Sequence, residues 1–521
     1  MILPLLLAAS LFASCPIFSQ PGSLDITYGI GGKVTNNLGE NAQAYDSVLQ
    51  ADGKLIVVGD TYSIAPGSSF LISRYLTDGS LDTTFNGSGY TSLLARDHAM
   101  ASGVAVQSDG KIVVVGTAMA PGGTGSNSSD MMVVRLNADG SLDTSFGDSG
   151  IQVVVLPYSQ NLRDVLIQSD GKIVAGGLFT WLSNPNADTP GLIRFNANGS
   201  IDTSYGENGY VYTPGVFRGE ITKMHFAEDE SIVALGRTFI INNYLILKYD
   251  SNGSLINSFG PNGTGIVQVP ITEGNVGNFT FAPDGSFYGG GAIISGNKTN
   301  TFVTKYFPNG TIDHSFADNG KLIKDIGIIN GIDYLSGVVD LALDKNNQLL
   351  LGLSCGIGTN YDFGLLSYSP EGVLNTAFGN NGLFITNFGA GHDYFETMVV
   401  QEDNKIILIG NKGLQVLARI NNASILSTDS AVANAAQIYI SPNPVNDDTS
   451  LVVALQKQTV ISSELVDSKG TFIGKIHTDI NYPAGKHSDK MNLQQFHLDR
   501  GIYFLKIYTD GKYLKTIKIV K

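Results

Sequence analysis

The sequence predicts an all-β protein: a seven-bladed β-propeller of four-stranded blades, closed by an N-terminal velcro strand and followed by a small β-sandwich. Three observations lead to this prediction. A unit of about 57 residues repeats through residues 22–421. Each unit holds four short apolar runs separated by turns. The last unit lacks a segment that the N-terminus can supply.

Two sequence markers define the repeat, and each occurs seven times. The first is a turn that ends in an aromatic residue, as in GSLDTSFG, and its copies occupy residues 22–29, 79–86, 140–147, 199–206, 253–260, 310–317 and 372–379. The second is a tight turn before an apolar strand, as in SDGKIVVVG, and its copies occupy residues 51–59, 108–116, 169–177, 228–236, 283–291, 345–353 and 402–410. We expect the aromatic residue of the first marker to fill the core rather than to form a sugar-binding ring. These residues are Tyr28, Phe85, Phe146, Tyr205, Phe259, Phe316 and Phe378.

Each unit contains four strand-like segments. In the second unit they span residues 103–107, 111–117, 131–136 and 151–156, where Val and Ile dominate and turns interrupt the runs. Seven such units indicate a propeller, because propeller blades are four-stranded sheets arranged around a central channel. A linear β-solenoid is the alternative, although its repeats are usually shorter.

The phase of the repeat favours a closed ring. The last unit ends at residues 417–422 and never reaches its own turn-plus-aromatic marker. The spare copy, 22–29, stands at the N-terminus and is followed by the strand-like residues 32–36. We therefore expect the start of the chain to supply the outer strand of the last blade, which would remove free sheet edges that promote aggregation.

A basic residue and an aspartate recur eight residues apart in most units. We expect them to form an ion pair inside each blade, and a pair between Asp25 and Arg419 to join the chain ends. The alternative is that both partners are solvated, and an exposed pair would contribute only ~0–1 kcal/mol. The pairs within units are Arg74–Asp82, Arg135–Asp143, Arg194–Asp202 and Lys305–Asp313.

The two markers together resemble the delta-60 repeat of secreted bacterial proteins. The motif D-G-S-L-D-x-[ST]-[FY]-G and the upstream D-G-K-[IL]-x-V-x-G cover residues 22–421. This resemblance implies a β-propeller, and it brings no catalytic residue with it.

The N-terminal residues 1–19 have the character of a signal peptide, because they form an apolar stretch without charged side chains that is too short to span a bilayer. A lipoprotein signal acylated at Cys15 is the alternative. No later segment is apolar enough for a transmembrane span. Removal of the signal leaves Cys355 as the one cysteine, and its apolar surroundings in the sequence predict a buried, inert thiol.

The C-terminal residues form a separate module. Residues 422–436 are small and polar, which is typical of a linker. Residues 437–521 lack the repeat markers and carry 11 Lys and Arg against 8 Asp and Glu, whereas residues 1–436 carry 21 against 38. Short alternating runs in this module predict a small β-sandwich.

This module resembles the type A sorting domain of the type IX secretion system of Bacteroidota. The matching residues are Pro442, Asn443, Pro444, Asp467, Gly470, the run from Arg500 through Gly501 and Tyr503 to Ile507, and the basic end at Lys518 and Lys521. The resemblance implies that residues 437–521 engage the secretion machinery and are then removed. It also implies a protein that is secreted, or held on the outer surface of a Gram-negative cell.

Composition and motifs indicate no catalytic residue, metal or cofactor. The net charge of −14 opposes binding to nucleic acid and to anionic membranes. The seven histidines lack zinc-ligand spacing, and the Asp-Gly turns lack the ligand pattern of a calcium loop. The adjacent pairs Asp97–His98 and His392–Asp393 are poor acid–base pairs, because neighbouring side chains usually point apart.

Loops of variable length define a candidate binding face. In a four-stranded blade the two markers lie at one edge of the sheet, and the loops after the second and fourth strands lie at the other edge. We call this second edge the variable-loop face. Binding residues usually occupy such loops on a rigid scaffold. The candidate ligand-binding residues on this face are Trp181, Tyr158, His98, His392 and Tyr394.

The sequence therefore predicts a secreted or surface-anchored monomer that binds a glycan or a protein without catalysis. A glycan hydrolase or lyase with acidic residues on the variable-loop face is a second hypothesis. Two buried carboxylates about 5–9.5 Å apart on that face would favour it. A structural component of a surface layer is a third hypothesis.

Overall fold

The computed structural model describes residues 20–521 apart from short segments. The segments left out are residues 63–66, 95–97, 120–128, 181–187, 214, 217, 240–242, 271–273, 296–297, 326, 330–331, 358–359, 423–436, 442–444, 446–448, 456–457, 468–470, 500 and 510–511. The chain divides into two compact units after residue 423.

The described part of the first unit is built from short strands. In chain order these are β1 (Ser23–Leu24), β2 (Lys33–Asn36), β3 (Asp46–Leu49), β4 (Leu55–Tyr62), β5 (Ser68–Tyr75), β6 (Tyr90–Leu93), β7 (His98–Val106), β8 (Ile112–Met119), β9 (Ser129–Leu136), β10 (Ile151–Val154), β11 (Asn161–Ile167), β12 (Ile173–Thr180), β13 (Asp188–Phe195), β14 (Tyr210–Tyr212), β15 (Gly219–Phe226), β16 (Ile232–Thr238), β17 (Asn243–Tyr249), β18 (Ile266–Pro270), β19 (Gly274–Phe281), β20 (Phe287–Ser295), β21 (Lys298–Tyr306), β22 (Lys321–Lys324), β23 (Gly327–Ile329), β24 (Ile332–Leu343), β25 (Leu349–Ile357), β26 (Asn360–Tyr368), β27 (Leu383–Thr386), β28 (Tyr394–Val400), β29 (Ile406–Asn411) and β30 (Gln415–Asn421).

These strands pair into seven antiparallel sheets within the described residues. Five sheets contain four consecutive strands: β3–β6, β7–β10, β11–β14, β15–β18 and β19–β22. A sixth sheet adds β23 to β24–β27, and a seventh combines β28–β30 with β1 and β2 from the start of the chain. The prediction of an all-β chain built from four-stranded units is confirmed.

Local hydrogen bonds close the turns of both markers. In the first marker, Asp82 Oδ1 accepts hydrogen bonds from Thr84 N at 3.1 Å and from Thr84 Oγ1 at 2.6 Å. In the second marker, Asp52 Oδ1 accepts a hydrogen bond from Lys54 N at 3.2 Å. Gly53 has a φ of 82°, which strains any residue with a Cβ. Turn geometry therefore accounts for Asp and Gly at these positions.

The marker aromatics lie in the core, and this prediction is confirmed, because each is at most 2% exposed. The glycine that begins the next marker packs on the ring: a Cβ on Gly140 would lie 2.8 Å from ring carbons of Phe85. Backbone hydrogen bonds also link successive markers, as from Asn86 N to Asp139 O at 2.7 Å. Neighbouring sheets are thus joined at the marker edge.

A bulge in the first strand of a sheet explains the glycine that ends the second marker. In β7 the pairing register shifts between Ala101 and Gly103. The carbonyl oxygen of Met100 would lie only 2.0 Å from a Cβ on Gly116, so this close approach requires glycine. Comparable approaches of 1.9–2.5 Å occur at Gly59, Gly177, Gly236 and Gly410.

The second unit is a β-sandwich of two sheets. Its strands are β31 (Gln437–Ser441), β32 (Ser450–Leu455), β33 (Thr459–Val466), β34 (Phe472–Tyr482), β35 (Gly485–Lys490), β36 (Ile502–Thr509) and β37 (Lys512–Val520). One sheet has the order β31–β32–β35, and the other has the order β34–β33–β36–β37. Leu451 of the first sheet packs in one core with Ile461 and Leu505 of the second.

Strand β35, with the sequence GKHSDK, was missed in the sequence analysis because it has no apolar alternation. It pairs along its length with the apolar strand β32. Helical structure among the described residues is confined to two 3-10 turns, Phe85–Gly87 and Gln494–Phe496. A search of the described residues finds no helix with the length and apolarity needed to cross a membrane.

Candidate functional site

Three aromatic side chains, two of them exposed and one half-buried, form a group on the variable-loop face. Tyr361 stands near the start of β26, and His392 and Tyr394 stand at the entrance to β28. The ring centroids of His392 and Tyr394 are 5.5 Å apart, with planes inclined by 19°. The Tyr361 ring lies 6.1 Å from His392 and 6.0 Å from Tyr394. We call these three residues the aromatic platform.

A buried carboxylate fixes this platform from behind. Asp393 is 0% exposed, whereas His392 and Tyr394 on either side of it are exposed. The Asp393 carboxylate accepts hydrogen bonds from Lys412 Nζ at 2.8 Å and from Phe388 N at 2.6 Å. Its own N–H donates to the carbonyl oxygen of Tyr361 at 2.8 Å. The hydrogen bonds of Asp393 thus go to Lys412 and to backbone groups.

The charges behind the platform balance one another. Two ammonium groups, on Lys33 and Lys412, accompany the carboxylates of Asp362 and Asp393. Burial raises the pKa of Asp362, and the negative charge of Asp393 adds to this effect. Burial lowers the pKa of Lys33, whose Nζ donates to the carbonyl oxygen of Asn387.

Other predicted ligand-binding residues lie on other sheets. His98 begins β7 and stacks on Tyr62 of the neighbouring sheet, with ring centroids 6.5 Å apart. Its Nδ1 accepts a hydrogen bond from Ser68 N at 3.2 Å. Tyr158 is half-buried in the loop between β10 and β11. Tyr361 was missed in the sequence analysis, because it lies in a strand and resembles a core residue.

A cavity of about 520 Å³ lies where the first strands of the sheets meet. Polar side chains line it at equivalent positions of these strands, and we call them the collar. The collar residues are Asp46, Asp164, Lys223, Asn278, Asp340 and Thr397. The collar was not recognisable from the sequence, because its residues differ between units. The available signal was one polar residue within each apolar run.

Collar carboxylates join neighbouring sheets. Each of three aspartates accepts a hydrogen bond from a backbone N–H in the first strand of the following sheet. These bonds run to Asp46 from Val104 N at 3.0 Å, to Asp164 from Met224 N at 2.6 Å, and to Asp340 from Met398 N at 2.8 Å. The collar therefore fastens adjacent sheets at the cavity.

Acidic side chains outnumber basic ones within the collar. Burial raises the pKa of Asp164 to about 6, although Lys223 opposes the shift. Lys223 Nζ lies 2.7 Å from Asp46 Oδ1. Burial opposes the charge on Lys223, but the carboxylates of Asp46 and Asp164 outweigh this and raise its pKa. Burial also raises the pKa of Asp340. One ammonium group thus faces three carboxyl groups.

The predicted pairs of a basic residue and an aspartate are in contact, and every member is buried except the half-buried Lys305. Their N···O distances are 2.8 Å for Arg74–Asp82, 2.7 Å for Arg135–Asp143, 2.8 Å for Arg194–Asp202, 3.4 Å for Lys305–Asp313 and 2.9 Å for Arg419–Asp25. These arginines and aspartates are 3–7% exposed. The value of ~0–1 kcal/mol for an exposed ion pair therefore does not describe these buried arginine–aspartate pairs.

The lysine of the second marker is a further partner of the aspartate and was not predicted from the sequence. Lys111 Nζ lies 2.9 Å from Asp143 Oδ2, which also contacts Arg135. Burial opposes the ionisation of Asp143, but hydrogen bonds from Ser145 and Lys111 hold its pKa well below the usual range. Equivalent contacts join Lys54 to Asp82, Lys172 to Asp202 and Lys405 to Asp25.

In the second unit, the closing strands bring two sorting-motif residues together. Gly501 and Lys521 exchange backbone hydrogen bonds of 3.1 and 2.9 Å. Tyr503 Oη donates to the carbonyl oxygen of Asp499 at 3.1 Å. Other residues singled out by the sequence analysis lie outside the described residues: Asp97, Trp181, Pro442, Asn443, Pro444, Gly470 and Arg500.

Comparison with known families identifies both modules. The family described as "Domain of unknown function (DUF5122) beta-propeller" matches residues 50–85, 107–146 and 168–205. The family described as "Secretion system C-terminal sorting domain" matches residues 437–521. The chain therefore carries β-propeller repeats and a type IX sorting domain. It is a secreted or cell-surface protein, and its tail implies interaction with the type IX machinery.

Similar proteins include Outer membrane protein B of Rickettsia typhi, which is 26% identical over 454 residues, or 80% of this chain. The chain spans 24% of that protein's length. Among solved structures, YCF48 from Cyanidioschyzon merolae has a TM-score of 0.43 at 10% identity, covering 74% of this chain and 99% of its own. Sqt1 from Chaetomium thermophilum has a TM-score of 0.40 at 11% identity, covering 75% and 100%.

Proposed function

We propose that this protein is a noncatalytic binding or adhesion protein for a glycan or another protein, and that its ligand contacts the variable-loop face. The aromatic platform carries this proposal. Tyr394 keeps 45% of its surface exposed although it adjoins the buried residues Asp393 and Phe395. Exposed aromatic rings held on a rigid support are typical of binding surfaces, because they lose little conformational freedom on contact.

The scaffold in this proposal is one seven-bladed propeller over residues 20–421, closed by the N-terminal strand. Pairing of β2 with β30, which sets Lys33 opposite Ala418, supports closure. So does the hydrogen bond from Gly379 N to Pro21 O at 2.9 Å, because it continues the series that links successive markers. Residues 1–19 would be removed as a signal peptide, and residues 422–436 would link the two modules.

The remaining candidates complete the proposed face. Tyr158, His98 and Trp181 would contribute to it on other blades. After export, the tail marked by residues 442–444 and Lys521 would be removed, leaving a secreted or surface-attached monomer. A glycan hydrolase or lyase is the competing function. The hydrogen bonding of Asp164 favours a structural role, because its two oxygens accept bonds from Val165 N and Met224 N.

A thermal-shift screen of the mature chain tests this function. Glycans, peptidoglycan fragments and candidate protein partners would be added to the wild-type protein and to a Tyr394→Ala variant. A ligand at 100 times its dissociation constant adds about 2.7 kcal/mol of stability. We expect a ligand that shifts the wild-type transition and shifts the variant less. Silence across the panel would favour a structural surface-layer role instead.

A further inference from the structure

We propose that the aromatic platform of Tyr361, His392 and Tyr394 binds the flat face of a neutral sugar ring. This inference rests on the proposed function, since it names the ligand class for the same face. A sugar ring presents C–H groups on its faces and hydroxyl groups around its edge. Aromatic rings complement such a face, because their π surfaces are negative and attract positively polarised hydrogen atoms.

The arrangement of the three rings fits this chemistry. Their centroids lie 5.5–6.1 Å from one another, and the planes of His392 and Tyr394 are inclined by only 19°. Because His392 and Tyr394 are stacked and Tyr361 is tilted against both, the three rings form one compact aromatic group. The side chains of His392 and Tyr394 are exposed. The platform is therefore accessible from solvent at the variable-loop face.

Polar atoms at the edges of the platform complement sugar hydroxyl groups. The hydroxyl groups of Tyr361 and Tyr394 and the ring nitrogens of His392 have no hydrogen-bond partner within the described part of the chain. Phenol and imidazole groups both donate and accept hydrogen bonds. A sugar ring can therefore stack on the platform while its hydroxyl groups bond to the edges. A purely apolar ligand would leave these hydroxyl groups and ring nitrogens without hydrogen-bond partners.

Local charge favours a neutral sugar over a charged one. Asp393, the nearest carboxylate in sequence, is 0% exposed and paired with Lys412 at 2.8 Å. Asp362 and Lys33 belong to the same balanced group behind the platform. A charged ligand therefore meets no net opposite charge there. It also loses hydration on binding, which costs free energy unless a partner replaces the water.

The platform is fixed in position by the surrounding structure before a ligand binds. The bond from Asp393 N to Tyr361 O ties the entrance of β28 to the start of β26. Phe395, next to Tyr394, is 2% exposed and packs against Phe363 at 5.6 Å. Binding therefore requires little ordering of the platform, and rigid aromatic contacts give more affinity per contact than mobile ones.

Binding of neutral and acidic oligosaccharides to the mature full-length protein tests this inference. The neutral probes are cellohexaose, maltohexaose and mannohexaose, and the acidic probe is oligogalacturonate. The variants are Tyr394→Ala, Tyr394→Phe and Phe307→Ala. Phe307 is the matched control, because it is 45% exposed like Tyr394 but directly follows β21, at the marker edge rather than on the variable-loop face.

We expect at least one neutral probe to bind more tightly than the acidic probe. Tyr394→Ala should weaken that binding about tenfold, or ~1.4 kcal/mol. Tyr394→Phe should retain most of it, and Phe307→Ala should change it less than twofold. Circular dichroism of each variant separates loss of the ring from loss of the fold.

Other outcomes overturn the inference and leave the proposed function distinguishable. Preference for oligogalacturonate, or equal loss in Phe307→Ala and Tyr394→Ala, refutes the neutral-sugar platform while a binding function stands. Absence of binding to every probe refutes the sugar ligand. A protein partner whose binding depends on Tyr394 would then keep the binding function. Cleavage of a bound oligosaccharide contradicts the proposed function itself.

Discussion

Replacing Arg419 with glutamine tests how the chain ends are held together. The guanidinium group lies 2.9 Å from Asp25 Oδ2 and 4.5 Å from the centre of the Tyr28 ring. It also donates to the carbonyl oxygen of Thr77 in the turn that follows β5 of the first sheet. One side chain therefore joins the last repeat, the N-terminal segment and the first sheet.

The size of the effect follows from these contacts. Breaking a buried ion pair costs about 3–5 kcal/mol, because it leaves an uncompensated charge. Asp25 would keep Lys405 Nζ at 3.3 Å and the Thr27 hydroxyl at 2.6 Å. We therefore expect Arg419→Gln to lower the free energy of unfolding by about 3 kcal/mol, the lower end of this range.

Urea denaturation and hydrogen exchange measure this effect. The matched control is Arg135→Gln, because Arg135 makes the same contacts within a single repeat unit: 2.7 Å to Asp143 and 4.6 Å to the centre of the Phe146 ring. We expect similar losses of global stability in both variants. Only Arg419→Gln should speed amide exchange in residues 33–36, by about 100-fold for 3 kcal/mol of lost protection.

Two results would refute this reasoning. A stability loss below about 0.5 kcal/mol in Arg419→Gln would show that the buried pair contributes no more than a surface pair. Equal exchange in residues 33–36 of both variants would show that Arg419 does not hold the N-terminal strand.

Three further predictions concern the collar, the second marker and the thiol. The pKa of Asp164 is raised to about 6 in the folded protein, so the free energy of unfolding should fall as pH rises from about 4 to 6. In urea titrations, Asp164→Asn should remove up to about 3 kcal/mol of that fall. Identical pH profiles of the variant and the wild-type protein would contradict this. Gly116→Ala should cost about 1–3 kcal/mol in the same assay, because its Cβ would meet Met100 O at 2.0 Å, and an unchanged midpoint would disprove the close approach. Burial raises the pKa of the Cys355 thiol to about 12, so a disulfide reagent at pH 8 should modify it only after unfolding, and rapid reaction of the native protein would be incompatible with its burial.

Repetition explains what the sequence could predict. Each marker occurs seven times, so turn residues such as Asp82 and Gly53 and core residues such as Phe85 were recognisable without any structure. The eight-residue spacing of Arg74 and Asp82 was visible for the same reason. Their burial was not, because burial depends on how the next sheet covers them.

Features that do not repeat escaped the sequence analysis. Lys223 and Asp164 occupy equivalent strand positions, but their different chemistry hides the collar in the sequence. Tyr361 joins His392 and Tyr394 only because β26 and β28 are neighbours in space. Strand β35 lacks an apolar pattern, and its partner β32 supplies the core residues.

The most direct test of the account follows an oligosaccharide in the presence of the mature protein. The probe found to bind would be incubated with saturating protein and analysed over time by mass spectrometry, with a parallel measurement of its affinity for Tyr394→Ala. The account predicts saturable binding that depends on Tyr394, and an oligosaccharide whose mass does not change. Shorter or unsaturated products would contradict it and identify the protein as a glycan hydrolase or lyase.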